Sequence, residues 1–76
     1  MSMAAVEVRP RFRNSSKENV ELVRNQIADA GHTAEAIEFA HLVKVLRQSM
    51  ETGGVLDEHP LTIAARQVGA TVHWVH

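Results

Sequence analysis

A long apolar segment in the middle of the chain constrains the fold more than any other part of the sequence. Residues 33–51 read TAEAIEFAHLVKVLRQSME, and their apolar positions at helical spacing are Phe39, Leu42, Val43, Leu46 and Met50. A second apolar set widens this stripe toward another face: Ala36, Ile37, Ala40 and Val45. A helix that is apolar over so much of its circumference needs cover on more than one side, from this chain or from a second copy of it.

The length of the chain bears on which cover is available. With 76 residues, one domain builds only a thin core, because small folds bury a lower fraction of their surface. The chain has no cysteine, so neither disulfides nor thiolate metal sites reinforce it. Self-association is the remaining means, and we expect a homodimer formed through one set of residues on the long helix: Ile37, Phe39, Ala40, Leu42, Val45 and Leu46.

The beginning of the chain has the alternation of a half-buried strand. Over residues 6–13, one side carries Val6, Val8, Pro10 and Phe12, and the other side carries Glu7, Arg9, Arg11 and Arg13. Because proline cannot donate a ladder hydrogen bond, Pro10 places this strand at the edge of a sheet. We expect residues 1–5, which precede it, to be flexible.

Capping and stop signals predict three helices after this strand. Ser15 and Glu18 have the spacing of a capping box, and Gly31 is a natural stop for the first helix. Thr33 is the expected N-cap of the long helix. Pro60 suits the first position of a third, shorter helix.

The tail of the chain, ATVHWVH, is rich in β-branched and aromatic residues and predicts a final short strand. We therefore predict a single α+β domain over residues 1–76 with the element order β-α-α-α-β, in which a long central apolar helix lies between short terminal strands. The predicted ranges are 6–13 for the first strand, 16–30, 33–51 and 60–68 for the three helices, and 70–76 for the last strand.

The charge distribution singles out the beginning of the chain. The net charge is −1, but residues 1–17 carry four cationic side chains against one acidic side chain, whereas the rest of the chain carries four against eight. Such an asymmetry predicts that an anionic partner binds near the beginning. The cationic residues there are Arg9, Arg11, Arg13 and Lys17.

A strand with an arginine face, a Ser-capped helix, a Gly turn and a longer apolar helix follow one another over residues 6–50. This order resembles that of ribbon-helix-helix repressors, in which two chains pair their first strands antiparallel and insert the ribbon into DNA. The resemblance implies that Glu7, Arg9 and Arg11 read bases and that the backbone amides of residues 33–35 bind a phosphate. DNA binding through the arginine face is therefore the alternative functional interpretation.

The sequence carries no strong catalytic or metal signature. Asp57, Glu58 and His59 place two acids beside an imidazole in one loop, but no nucleophile motif and no phosphate-cradling glycine loop accompanies them. His73 and His76 are three residues apart, a spacing that diverges on a strand. We therefore expect no enzymatic activity, no metal and no cofactor.

These observations favour a small non-enzymatic module that works by binding. We expect it to act as a homodimer, of the adaptor or inhibitor type, on an unidentified protein partner, with DNA as the alternative partner. No run approaches the roughly 20 apolar residues that cross a bilayer, and the first residues lack the apolar core of a secretory signal. Together with the lack of cysteine, this predicts a cytoplasmic protein with no membrane partner.

Overall fold

Three helices and two short strands make up the structure, a computed structural model that describes residues 6–12, 14–56 and 59–74. The elements are β1 (Glu7–Val8), α1 (Lys17–Asp29), α2 (Thr33–Glu51), α3 (Pro60–Gln67) and β2 (Thr71–Val72). The predicted α+β order, with a long central helix between short terminal strands, is confirmed. The predicted flexible start at 1–5, Arg13, and the last two positions of the predicted tail strand lie outside the described residues.

The two strands pair with each other within one chain. They run parallel, with Glu7 opposite Thr71 and Val8 opposite Val72. The Thr71 N–H donates to the Val6 carbonyl at 3.0 Å, and the N–H of the residue after β2 donates to the Val8 carbonyl at 2.8 Å. A parallel pair needs a long crossover connection, and the three helices supply it.

The first strand is shorter than the predicted range of 6–13, because a side chain of α1 takes over its backbone hydrogen bonds. The Arg9 N–H donates to Gln26 Oε1 at 2.6 Å, and Gln26 Nε2 donates to the Arg9 carbonyl at 3.1 Å. The next residue, Pro10, has no N–H to donate and is fully buried. The chain therefore leaves the sheet after Val8 and continues along α1.

Asn19, a fully buried residue of α1, fixes the segment that follows. Its Oδ1 accepts hydrogen bonds from the N–H groups of Arg11 at 2.8 Å and Phe12 at 3.2 Å. Its Nδ2 donates to the carbonyls of Phe12 at 2.6 Å and Asn14 at 2.8 Å. Because these bonds turn the chain, the predicted alternation ends before Phe12, whose side chain is 41% exposed instead of facing inward.

Two helices begin one residue away from the predicted cap. Ser16 caps α1, since its Oγ accepts a hydrogen bond at 3.3 Å from a backbone N–H of the first turn, so Ser15 does not hold the predicted cap position. His32, and not Thr33, occupies the N-cap position of α2, and its side chain makes no capping hydrogen bond. Gly31 makes the predicted sharp connection between the helices with a φ of 92°, which glycine adopts without steric cost.

The core forms where α2 lies against both α1 and α3. The inner face of α2, which we define as Ala36, Phe39 and Val43, is at most 2% exposed. Its burial from water supplies much of the free energy that favours this packing. The other fully buried apolar residues of the core are Val8, Val23, Ile27, Leu61, Ala64 and Ala65. Among the described residues, no helix is both long and apolar enough to span a membrane.

Candidate binding surfaces

One exposed row of α2 is more apolar than a solvent-facing helix surface requires. Ile37, His41 and Val45 follow one another at intervals of four residues, and we call this row the outer face of α2. The Ile37 side chain is 65% exposed and Val45 is 45% exposed. Glu38 and Lys44, both exposed, flank the row. The described part of the chain therefore leaves two large aliphatic side chains in water on one helix face.

Four of the six residues predicted for self-association lie elsewhere. Phe39 is fully buried in the core, so it is not on any surface that a second chain could contact. Leu42 and Leu46 are partly buried and pack against the same core. Ala40 is half-buried and lines a groove on another side of the helix. Three of these positions are therefore used by the core and Ala40 lies in the groove, so the predicted surface reduces to the outer face of α2.

The groove that Ala40 lines runs between α1 and α2 and has a volume of about 660 Å³. The apolar residues on its floor are the half-buried Val20 and Ala40 and, almost completely covered, Val43. Exposed cations rise around this floor, two from each helix. The described residues that line this α1–α2 groove are Lys17, Val20, Glu21, Arg24, Ala40, Val43, Lys44, Arg47, Gln48 and Glu51.

The four cations of the groove are half of the Lys and Arg residues of the chain. Within the described residues, none of the four has a carboxylate within 4 Å. Two acidic side chains share the lining, so the groove carries a net positive charge. Of the four, the charge asymmetry of the sequence predicted only Lys17. The spacing of the others was a usable signal, since Lys17 and Arg24 are two helical turns apart and Lys44 and Arg47 one turn apart.

The predicted arginine face is less strongly cationic than the sequence implied. Arg9 pairs with Glu7 at 3.4 Å, and Arg11 pairs with Glu18 at 3.6 Å. Glu7 also lies 3.2 Å from Nε2 of His73. Both guanidiniums stay more than half exposed, at 61% and 68%, so these are weak surface pairs. Arg13 lies outside the described residues.

The strand geometry differs from that of a ribbon-helix-helix repressor. The ribbon of such a repressor needs a free first strand that pairs antiparallel with the same strand of a second chain. In this chain β1 pairs with β2 of its own chain, in parallel, and Gln26 covers the other side of the backbone at Arg9. One side of β1 is therefore paired within the chain, and the strand is not the free, antiparallel-pairing strand that the implied ribbon needs.

Ser15, His59 and Trp74 meet at a corner before α3. The Ser15 Oγ lies 3.3 Å from both ring nitrogens of His59, and the Trp74 ring meets the imidazole edge-on at 5.8 Å. An oxygen at equal distances from both nitrogens lies along the lone pair of neither. Nδ1 already accepts the Leu61 N–H at 3.2 Å. The pair therefore lacks the geometry of a nucleophile and its base, and His59 serves as the N-cap of α3.

Burial lowers the pKa of His59 below its ordinary value of 6.5, because a charged imidazolium loses hydration at this corner. The neutral ring is also the form whose Nδ1 can accept the Leu61 N–H. Folding therefore favours the uncharged side chain.

A second histidine is buried at the start of α2. His32 Nδ1 lies 3.8 Å from a carboxylate oxygen of Glu35, and its buried Nε2 has no hydrogen-bond partner in the described structure. Residues 6–12, 14–56 and 59–74 contain no group of three or more His, Cys, Asp or Glu side chains that could hold a metal ion. The predicted acidic loop residues Asp57 and Glu58 lie outside these ranges.

Comparisons with known proteins give no further guide to function. No protein-family profile, no curated protein and no solved structure matches the chain. Any functional conclusion therefore depends on three surfaces of the chain itself: the outer face of α2, the α1–α2 groove, and the stretch with Arg9 and Arg11, which we call the arginine segment.

Proposed function

We propose that the protein is a small non-enzymatic binding module that works as a homodimer, in the manner of an adaptor or an inhibitor, with the outer face of α2 as the dimer contact. The observation that carries this proposal is the exposure of Ile37 and Val45, at 65% and 45%, on a helix whose inner face is completely covered. Exposed apolar clusters on small domains mark interaction sites. The lack of cysteine suits the reducing cytoplasm, where we propose that it acts.

The charges beside the row support a second copy of the chain as its partner. Two helices whose rows at intervals of four residues align cross at about −50°, the commonest helix packing in globular proteins. With a two-fold axis along the row, Ile37 and Val45 each face their own twin. Glu38 and Lys44 lie on opposite flanks, three residues before and after His41. The same axis therefore brings Glu38 of each subunit against Lys44 of the other, at two symmetric places.

The test is the solution mass of the chain, measured by sedimentation equilibrium over a range of concentrations. We expect a dimer for the wild type and a dimer dissociation constant raised about tenfold or more in Ile37→Asp, because the acidic side chain would be buried against its twin. The matched control is Val55→Asp, since Val55 is 90% exposed and lies off this face. A monomer at every concentration, or equal effects of the two substitutions, would contradict the proposal.

A charge exchange tests the symmetry of the contact. Glu38→Lys alone and Lys44→Glu alone each place two pairs of like charges across the two-fold axis, and we expect each to weaken the dimer about fivefold to tenfold. The double substitution restores opposite charges, and we expect it to return the dissociation constant to within about twofold of wild type. If the loss of dimerisation free energy in the double substitution equals the sum of the losses in the two single substitutions, the two-fold axis along the row is wrong.

Nucleic-acid binding is the second candidate function, favoured by the exposed guanidiniums of Arg9 and Arg11. Under this proposal the arginine segment contacts phosphates without inserting a ribbon into a groove. The affinity for a mixed-sequence duplex should then fall steeply with salt, and Arg11→Ala should weaken it while the dimer stays intact. A duplex affinity that does not respond to Arg11→Ala would remove this candidate.

A further inference from the structure

We infer that the α1–α2 groove binds an acidic segment of a partner protein. This inference rests on the proposed function in one respect, that the module works by binding a protein. It concerns a different surface from the dimer contact, and it names the chemistry of the partner that this surface fits.

Charge is the first argument. Lys17 and Arg24 of α1 and Lys44 and Arg47 of α2 line the groove, and its acidic residues within the described part of the chain are Glu21 and Glu51. No carboxylate among the described residues lies within 4 Å of any of the four cations. Cations held close together without partners repel one another, and an anionic ligand relieves that repulsion. A cleft of one charge sign also raises the association rate of an oppositely charged partner.

The floor of the groove distinguishes a peptide from a nucleic acid. Val20 and Ala40, both half-buried, form a short aliphatic strip that only apolar groups of a ligand can cover favourably, and the 2% exposed Val43 adds little surface to it. Grooves that hold single-stranded nucleic acid combine cations with aromatic side chains on which bases stack, and none of the described residues that line this groove is aromatic. A segment with Asp or Glu around one or two Leu, Ile, Val or Met side chains matches both the rim and the floor. The volume of about 660 Å³ is within the range of specific ligand sites.

Lys44 belongs to both surfaces, since it lines the groove and flanks the outer face of α2. A substitution at Lys44 would change dimerisation and groove binding together. Arg24, on α1, is exposed and belongs to the groove but not to the outer face of α2. A substitution at Arg24 therefore tests the groove without changing the proposed dimer contact.

The experiment is a titration of the full ¹⁵N-labelled chain, followed by amide chemical shifts, with a short synthetic peptide in which Leu residues are set among Glu residues. A peptide with Lys in place of Glu is the charge control. We expect saturable binding of the acidic peptide, with the largest shifts at Val20, Arg24, Ala40 and Arg47, and about tenfold weaker binding in Arg24→Glu. The matched protein control is Arg11→Glu, which makes the same charge change at the arginine segment, and we expect less than about a twofold effect.

Three results would overturn the inference. The first is no saturable binding of the acidic peptide up to about 1 mM. The second is equal weakening by Arg11→Glu and Arg24→Glu, which would mean attraction by overall charge and not by the groove. The third is tighter binding of a duplex or single-stranded oligonucleotide at the same groove amides, which would assign the groove to nucleic acid. Arg24→Gln, which removes the charge without reversing it, repeats the test if Arg24→Glu fails to fold.

The dimer is measured in the same samples, so the two proposals fail separately. An intact dimer without peptide binding removes only the groove. Peptide binding by a monomeric Ile37→Asp chain supports the groove and shows that it works without the dimer contact.

Discussion

The inner and outer faces of α2 are built from similar residues and differ in what covers them. On the inner face, Phe39 and Val43 are buried by α1 and α3. On the outer face, Ile37 and Val45 are also large and apolar and also lie along one row of the helix, yet they are exposed to water. The difference teaches that the number of apolar faces on a helix shows how much surface needs cover, but does not show which part of the molecule covers it. The described residues cover the inner face and leave the outer face exposed, and we propose that a second copy of the chain covers it.

Phe39→Ala is the strongest test of this contrast. Removing a fully buried aromatic ring costs about 3–5 kcal/mol, from lost transfer free energy and from the cavity that stays behind. A domain of this size has a free energy of unfolding of roughly 5 kcal/mol. We therefore expect the variant to lose its cooperative thermal unfolding transition, measured by circular dichroism. A variant that still unfolds cooperatively with a loss below about 1 kcal/mol would show that the inner face is not the centre of the core.

Ile37→Ala is the matched change on the outer face. Because Ile37 is 65% exposed, its truncation removes little buried surface within one chain, and the unfolding free energy of the monomer should change by less than about 0.5 kcal/mol. Under the proposed dimerisation, we expect this substitution to raise the dimer dissociation constant instead. A large loss of monomer stability in this variant would erase the distinction between the two faces.

α1 also has a covered face and an exposed face, and one asparagine lies on each. Asn19 is fully buried and makes four hydrogen bonds with the backbone of the segment before α1, whereas Asn25 is exposed. Asn19→Ala leaves these backbone groups without partners, and we expect it to lower the unfolding free energy by about 2–4 kcal/mol. Asn25→Ala should be neutral or slightly stabilising, since alanine favours the helix. Urea denaturation of both variants measures the difference, and similar losses would contradict the role assigned to Asn19.

Periodicity and punctuation were sufficient to predict the order of the elements. The stripe from Phe39 to Met50 predicted α2, and Gly31 and Pro60 marked the connections on either side of it. Glycine permits a positive φ that other residues avoid and proline fixes its own φ, and both effects are local to the residue. The length of the first strand was not predictable in this way. It depends on Gln26 and Asn19 reaching back from α1 to the backbone of earlier residues, and an amide side chain inside a helix gives no sign of such a role in the sequence.

The binding surfaces were predictable only in part, for a related reason. Ile37 and Val45 were among the predicted self-association residues, but so were Phe39, Leu42 and Leu46, since spacing cannot tell which turn of a helix meets a neighbour. The α1–α2 groove needs two helices side by side before its four cations converge. The sequence predicted Lys17 as a binding residue because it lies near the arginines at the beginning of the chain. That Arg24, Lys44 and Arg47 line the same groove as Lys17 became clear only from the packing of α2 on α1.

The smallest expected effect concerns His59, whose partial burial can be tested by the pH dependence of stability. The pKa of His59 lies below 6.5 in the folded chain because burial disfavours its charged form, and the unfolded chain binds the proton first as the pH falls. The stability that neutral His59 contributes is therefore complete above pH 6.5 and is lost as the pH falls below that value toward the folded pKa. Thermal midpoints measured between pH 7.5 and 5.5 should fall less steeply in His59→Asn than in the wild type, since asparagine also caps a helix but does not titrate. Equal slopes would mean that His59 is as well hydrated as the residues of the outer face, and the corner that it forms with Ser15 and Trp74 would then belong to the surface and not to the core.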